Sequence, residues 1–425
     1  MLFVAFVVVG SLAILLLVAL VLLALFGPAL PYRTEGFESG DLASDNFVQF
    51  LGAISNAPIN RSTEISVLKN GEEIYSAELA AIHSAQYSVN LESYEFIKGE
   101  VTRRFVEAMA ARARAGVQVK VVIDAMGSFG THDSYFQELR SAGARVVWYH
   151  PVRWHSWPQI NNRTHRKLLI VDGKTGFCGG ADWADEWLTA TQDIPAWRDT
   201  MFRVEGDAVA ALQAVFAENW LESSGNILTG PDQFPPPAPK GGATALVVNS
   251  TPHSGQTRAR ILFQILLESA HQTIDITTPY FLPDKAARRA MIRAVRERGV
   301  RVRALSAGRR IDHPLVRHLS HSIEGSLLKN GVEIYDYEAS MIHAKIMLVD
   351  RIWSVVGSTN FDHRSFGLND EVNIAALDAT LAARLLQDFE IDLEQSKRLS
   401  YEHWQKRSVI TRAADSLIGL LEREE

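Results

Sequence analysis

Cysteine is almost absent from this chain. Cys178 stands alone among 425 residues, which excludes an intramolecular disulfide framework and a cysteine-rich metal site. The role left to it is that of a small packed hydrophobe. A surplus of one charge is also missing. With 43 Lys and Arg against 49 Asp and Glu, the net charge is −6. The chain therefore exerts no global pull on nucleic acid or anionic lipid, and any attraction to anions has to be local. No grouping of His, Cys and Asp has metal-site spacing, so no metal or other cofactor is implied. Charge disappears entirely from Leu2 to Phe26. As a helix that run would be about 37 Å long, against a hydrocarbon core of about 30 Å. The marks of a cleaved leader, a basic start and a small-residue cleavage site, are not evident. Residues 1–26 are read as a single uncleaved transmembrane anchor. No Lys or Arg precedes it and Arg33 follows closely, which favours a cytoplasmic body on a single-pass protein of the cell membrane.

What remains is large enough for two domains, and at 47% hydrophobic it can fill sizeable cores. Residues 27–60 read as a polar juxtamembrane linker. The proline-rich stretch 231–242 suits an extended connection and divides the body into segments 61–230 and 243–400. These two segments repeat each other. Val89-Asn-Leu-Glu-Ser-Tyr-Glu-Phe96, a helical stretch to Ala115, Gly116 and the apolar run Val117–Asp124 form one copy. Ile274-Asp-Ile-Thr-Thr-Pro-Tyr-Phe281, a helical stretch to Arg298, Gly299 and Val300–Leu305 form the other. Strand, helix, strand in that order is a parallel crossover unit, so the fold class is α/β and duplicated.

Each copy ends on the same signature, His165-x-Lys167-x4-Asp172 and His343-x-Lys345-x4-Asp350. The surrounding runs, Thr164–Val171 and Ile342–Val349, are β-rich, and Asp172-Gly173 and Asp350-Arg351 resemble hairpin turns. On a strand, residues two apart share a face, so imidazole and ammonium would meet one ligand. The aspartates fall on the other parity beside the turn, which favours a structural role for them. Gly179-Gly180 and Gly357-Ser358-Thr-Asn360 follow, loops whose backbone can approach a phosphate.

The paired signatures, together with Gly357-Ser358-x-Asn360, resemble the phospholipase D superfamily over nearly all of the chain beyond the linker. Within it, Gly357–Phe366 with Asn369-Asp-Glu-Val-Asn373, and Ala184-Asp-Glu-Trp187 with Trp197-Arg-Asp-Thr200, look like bacterial cardiolipin synthases. The resemblance implies two phospholipase D-like α/β/α sandwich domains related by a pseudo-twofold axis, sharing one site within a monomer. It implies phospholipid substrates, phosphatidylglycerol first, a membrane setting and no nucleic acid. The catalytic set would be His165, Lys167, Asp172, His343, Lys345 and Asp350, with His165 as nucleophile and His343 as acid and base. Lys167, Lys345, Ser358 and Asn360 would hold phosphate. An imidazole so used needs its second nitrogen held. Glu371 fits that position for His343, and Asp199 is the candidate for His165. The first half departs from the pattern: Gly180 and Asp182 replace the serine and the asparagine. A hydrolase using water as acceptor is the alternative reading, and a nuclease the weaker one.

Other features read two ways. The arginines between Lys285 and Arg303 are first of all a solvated helix face, with attraction to lipid headgroups the sharper reading. Trp154 and Trp157 suit an interface or ordinary packing equally. His313, His318 and His321 read as rim residues. Residues 401–425 are expected to contain an amphipathic C-terminal helix that lies on the bilayer or docks on the body.

Overall fold

The computed structural model describes residues 40–151, 161–190, 195–251 and 258–407, with Gly10, Tyr32, Thr34 and Glu35. The expected anchor, Trp154, Trp157 and most of the expected C-terminal helix lie outside the described residues. Of that helix, Tyr401–Gln405 is seen. Among the described residues no helix is long and apolar enough to cross a membrane.

A single mixed sheet organises the molecule, and its strand order is a palindrome of the duplication. Outward from the centre, the first half runs Ile59–Lys69, Thr200–Gly206, Thr175–Gly179, Leu168–Val171, Ser88–Ser93, Gln118–Asp124 and Arg145–Tyr149. The second runs Ala243–Ser250, Asn369–Leu377, Trp353–Gly357, Ile346–Val349, Thr273–Thr277, Arg301–Ala307 and Glu333–Tyr337, with Ser396–Arg398 added at its edge. The halves meet where Ile59–Lys69 pairs antiparallel with Ala243–Ser250. In each half the two crossover strands are parallel, as at Val89 with Val119 and Ile274 with Val302.

The alternation of side chains along the strands builds the layers. Leu169 and Val171 enter a core with Phe105 and Met109 of the helix Glu100–Arg114. Leu168 and Ile170, on the other parity, face a core with Leu212 and Phe216 of the helix Ala208–Ser224. In the second half Met347 and Val349 pack with Ala290 and Met291 of the helix Lys285–Arg298, while Leu348 packs with Leu385 of the helix Ala379–Glu394. Helices thus cover both sheet faces, and the layer holding Phe216 and Leu385 is common to both halves. Cys178 lies in that shared core, where burial pushes its thiol up to about 12.

The proline-rich connection is docked on the first half. Ser88 Oγ donates to the Asp232 carbonyl at 2.8 Å and Asn90 Nδ2 to Gln233 Oε1 at 2.8 Å. Pro235 sits so close that a Cβ on Gly173 would meet its Cδ at 2.4 Å. The arginines of the helix Lys285–Arg298 and the strand after it are largely engaged within the body. Arg293 pairs with Glu268, Arg298 donates to the Leu267 and Ala270 carbonyls, and Arg303 pairs with Asp275.

Candidate active site

The regular strands begin at Leu168 and Ile346, after the His and Lys of each signature rather than before them. The chain changes partners at this point. Arg163 and Thr164 pair with Asn369 and Asp370 of the second half, and the His165 amide donates to the Asp370 carbonyl at 2.9 Å. Ile342 forms the equivalent bridge to Arg198 of the first half, and the His343 amide donates to the Arg198 carbonyl at 2.7 Å. Each histidine is therefore pinned, through its backbone, beside the residue preceding a carboxylate of the opposite half.

That crossing overturns the expected carboxylate partners. His165 Nδ1 lies 3.0 and 3.2 Å from the two oxygens of Glu371, and His343 Nδ1 lies 3.1 Å from Asp199 Oδ2. Glu371 does not serve His343, and Asp199 does not serve His165. The physical reason is the backbone exchange: the strand that bears each carboxylate stays in its own half, but its first residues pair with the lead-in to the other half's histidine.

The two carboxylates are held differently. Ser358 Oγ donates to Glu371 at 2.5 Å and accepts from the Val372 amide at 3.0 Å. With both capacities used, Ser358 orients Glu371 and is not placed as a phosphate ligand, which corrects the expectation from the Gly-Ser-x-Asn loop. Asp199 instead accepts from Trp187 Nε1 at 2.7 Å. It also explains why glycine stands where the second half has serine: a Cβ on Gly180 would meet Asp199 Oδ1 at 2.3 Å and the His343 carbonyl at 2.7 Å.

Asp172 and Asp350 take no part in this constellation. Asp172 accepts the consecutive amides of Gln86, Tyr87 and Ser88 at 2.7–2.9 Å, and Asp350 those of His271, Gln272 and Thr273 over the same range. Both aspartates and the residues after them have positive φ in the hairpin turns. They fasten each turn to the start of the first crossover strand, so their place in the expected catalytic set gives way to a structural one.

The lysines approach from the same side as their histidines. Lys167 Nζ donates to the His165 carbonyl at 2.9 Å, lies 3.1 Å from Asp182 Oδ2 and sits 5.1 Å from the centre of the Tyr94 ring. Asp182, a puzzle as a substitute for asparagine, is thus the counter-ion of a fully buried ammonium. Lys345 Nζ is 3.0 and 3.1 Å from the ring nitrogens of His343. Burial pushes Lys345 down to about 7, with Asp199 opposing. Asn360 is 5% exposed and its Oδ1 has no partner among the described residues. An unsatisfied amide this deep is available to a ligand.

The histidines stand in unequal fields. His165 is held well below its ordinary value by burial, then by the charges of Lys167 and Lys345. Burial and Lys345 also lower His343, but the hydrogen bond and charge of Asp199 work against them. Burial would raise Asp199; the His343 contact, Lys345 and Trp187 outweigh it and keep its carboxyl below the usual range. Glu371 is pushed up to about 7 by burial. One histidine faces an ionised carboxylate and the other a carboxyl near its titration point.

Sequence reasoning passed over the groups that frame the rings. Tyr94 meets the His165 ring edge-on at 5.2 Å between centres, and Trp187 and Trp197 flank His343 at 5.3 and 5.4 Å. Their motifs were visible, but nothing in spacing showed that Trp187 of the first half closes on a histidine of the second. Beneath His165 and Glu371, Glu92 accepts from Thr164 Oγ1 at 2.5 Å and from Asn219 at 2.7 Å, while Asp370 accepts from Tyr149 at 2.7 Å. His313 is an exposed residue at the start of the helix Pro314–Lys329, and His321 lies beside Glu324 of the same helix.

Residues 79–220 and 264–393 match the family described as cardiolipin synthase, PLD-like domain. A cardiolipin synthase of Geobacillus kaustophilus is 34% identical over 371 residues, 87% of this chain and 74% of that protein. The major cardiolipin synthase of Bacillus subtilis is 33% identical over 395 residues, 92% of this chain and 82% of its own. In fold, the chain is similar to the phosphatidylserine synthase of Haemophilus influenzae, with a TM-score of 0.69 at 13% identity, covering 89% of this chain and 98% of the other.

Proposed function

The chain belongs to the cardiolipin synthase family of phospholipase D-like proteins, and on that premise we propose that it is a phosphatidyltransferase making cardiolipin from phosphatidylglycerol. The observation that carries the reading is the pair of histidines, each with a lysine from its own half and a carboxylate from the other.

The chemistry follows from the inequality of the pair. The nucleophile has to present a free lone pair, and His165 is the ring most strongly held neutral. Glu371 at Nδ1 leaves Nε2 to attack phosphorus. The acid has to carry a proton at the moment the alcohol departs, and an ionised Asp199 stabilises the imidazolium of His343. In the first step a P–N bond forms at His165, the P–O bond to the headgroup breaks, and His343 protonates the released glycerol. In the second step the hydroxyl of another phosphatidylglycerol gives its proton to His343 and attacks phosphorus, releasing His165. One phosphodiester replaces another, so no nucleotide is consumed. Lys167, Lys345 and Asn360 screen the phosphate charge. A phosphatidylethanolamine donor would follow the same course. The apolar run 2–26 would hold the body at the lipid surface.

The test is to incubate purified full-length protein with labelled phosphatidylglycerol and resolve the lipids by mass. Cardiolipin with stoichiometric free glycerol is expected. Phosphatidic acid as the sole product would transfer the assignment to the hydrolase.

A further inference from the structure

The two halves repeat so closely that residues can be matched across the pseudo-twofold axis. Phe96 bridges Trp183 in the first half as Phe281 pairs with Phe361 in the second. That match sets Glu95 against Tyr280, Asp182 against Asn360 and Glu186 against Arg364. At three equivalent positions the first half supplies a carboxylate, and the second a phenol, an amide and a guanidinium. The matched backbones of the two halves therefore present two walls of different chemistry.

Glu95 occupies the centre of the acidic wall. It follows Tyr94, whose ring packs on His165, and its carbonyl accepts from the Trp183 amide at 3.1 Å. Its carboxyl lies in electrostatic reach of Asp182, Lys167, Asp312 and Glu186, and also of its mate Tyr280 across the axis. Among the described residues it makes no hydrogen bond or ion pair. Burial, with Asp182, pushes it up to about 8, so near neutrality it both donates and accepts hydrogen bonds. Tyr280 donates to Asp312 at 2.6 Å, and the Asp312 charge acts on Glu95. Arg364, on the other wall, is oriented by Asn161 at 3.0 Å. Among the described residues the buried Asn360 Oδ1 is unpartnered too.

Resting on the transferase reading, we propose that Glu95, with Glu186 at its rim, forms the alcohol subsite and selects a polyol by binding the hydroxyls of a glycerol headgroup. Glu186 precedes Trp187 and its carbonyl accepts from the Trp197 amide at 2.9 Å, and these two rings frame His343, the group that exchanges protons with leaving and entering alcohols. A carboxyl that is only partly ionised suits neutral hydroxyls better than an ammonium, which needs a fixed negative charge. The Asn360 and Arg364 wall is left to the phosphate and the diacyl side.

Acceptor partitioning tests this, because both acceptors compete for one phosphatidyl-enzyme. Full-length protein is given dioctanoyl phosphatidylglycerol as donor with equimolar deuterated glycerol and propan-1-ol, and the two products are counted by mass. The wild type should favour glycerol. Glu95→Leu should lower the glycerol-to-propanol product ratio tenfold or more, Glu95→Gln, which still donates and accepts, should recover part of it, and Glu186→Gln, on an exposed side chain, should move it about threefold in the same direction. An unchanged ratio in Glu95→Leu overturns the subsite. If Glu95→Leu does not fold, an unchanged ratio in both Glu95→Ala and Glu186→Gln overturns it equally. With ethanolamine as a third acceptor, selective loss of its product identifies an ammonium site and also overturns the proposal. A wild type that forms phosphatidic acid and neither alcohol product removes the transferase reading itself, a result distinct from an unchanged ratio.

Discussion

His165 and Glu371, 206 residues apart and in opposite halves, hold each other at 3.0 Å. Their mirror pair, His343 and Asp199, does the same at 3.1 Å. Each of these two dyads takes its histidine from one half and its carboxylate from the other. The site is therefore an obligate product of both halves, and its two dyads differ in how readily the carboxylate ionises, Asp199 more readily than usual and Glu371 less.

That difference predicts which histidine is phosphorylated. With a phosphatidyl ester of p-nitrophenol, whose leaving group needs no proton, His343→Asn should still release nitrophenol in a burst of about one equivalent and then stall. Intact-mass analysis should find one phosphatidyl adduct, which peptide mapping places at His165. His165→Asn should give neither burst nor adduct. An adduct on His343 in that variant would reverse the assignment. With phosphatidylglycerol as donor, loss of acid catalysis in His343→Asn should cost about 10²–10⁴ in rate.

Glu371 should trade stability for activity. Its carboxyl is pushed up to about 7 by burial, so the folded protein binds its proton more tightly than the unfolded chain does. The sign follows: its favourable contribution is full below the unfolded value of about 4.3 and is lost as pH rises through about 7. Glu371→Gln should abolish that loss. Relative to wild type it should gain stability between pH 5 and pH 8, on the order of 3 kcal/mol. Its turnover should fall about a hundredfold or more, because the amide no longer fixes the His165 tautomer. Denaturant midpoints of detergent-solubilised protein at the two pH values, with rates at each, check both halves of this prediction. Equal midpoint differences at pH 5 and pH 8 would contradict it.

The signature aspartates should behave as fasteners. Removing a carboxylate that receives three backbone amides should cost about 2–4 kcal/mol. Asp172→Ala and Asp350→Ala should therefore lower the unfolding midpoint, while turnover per folded active site at low temperature stays within about threefold. A hundredfold loss of turnover in fully folded protein would return these residues to the chemistry.

Restoring the missing serine should do harm. Gly180→Ser places a Cβ 2.3 Å from Asp199 Oδ1 and 2.7 Å from the His343 carbonyl. Displacing the Asp199 dyad should cut turnover by about 10² or more, even though the loop then reads like its counterpart. Gly130→Ala, where nothing lies within 4 Å, serves as the control and should keep wild-type rates. A fully active Gly180→Ser protein would show that the loop relaxes and that the close approach is not required.

The sequence by itself determined the duplication, the crossover units and the identity of the chemical groups. Period-two burial, glycine after each crossover helix and the paired His-x-Lys spacing are local consequences of backbone geometry, so they can be read one segment at a time. The hairpin turns and the structural parity of Asp172 and Asp350 were legible for the same reason. Partnership across the axis was not. Glu371 follows His343 in the chain, and spacing alone favours pairing them. Only the tertiary structure decided that Thr164 pairs with Asp370 and Ile342 with Arg198, sending each histidine to the other half's carboxylate. The same holds for Ser358, whose hydroxyl is consumed by Glu371, and for Asp182, whose charge is cancelled by Lys167. Which half of a duplicated molecule completes which dyad depends on the register between strands far apart in sequence, and a residue pattern within one half carries no information about that register.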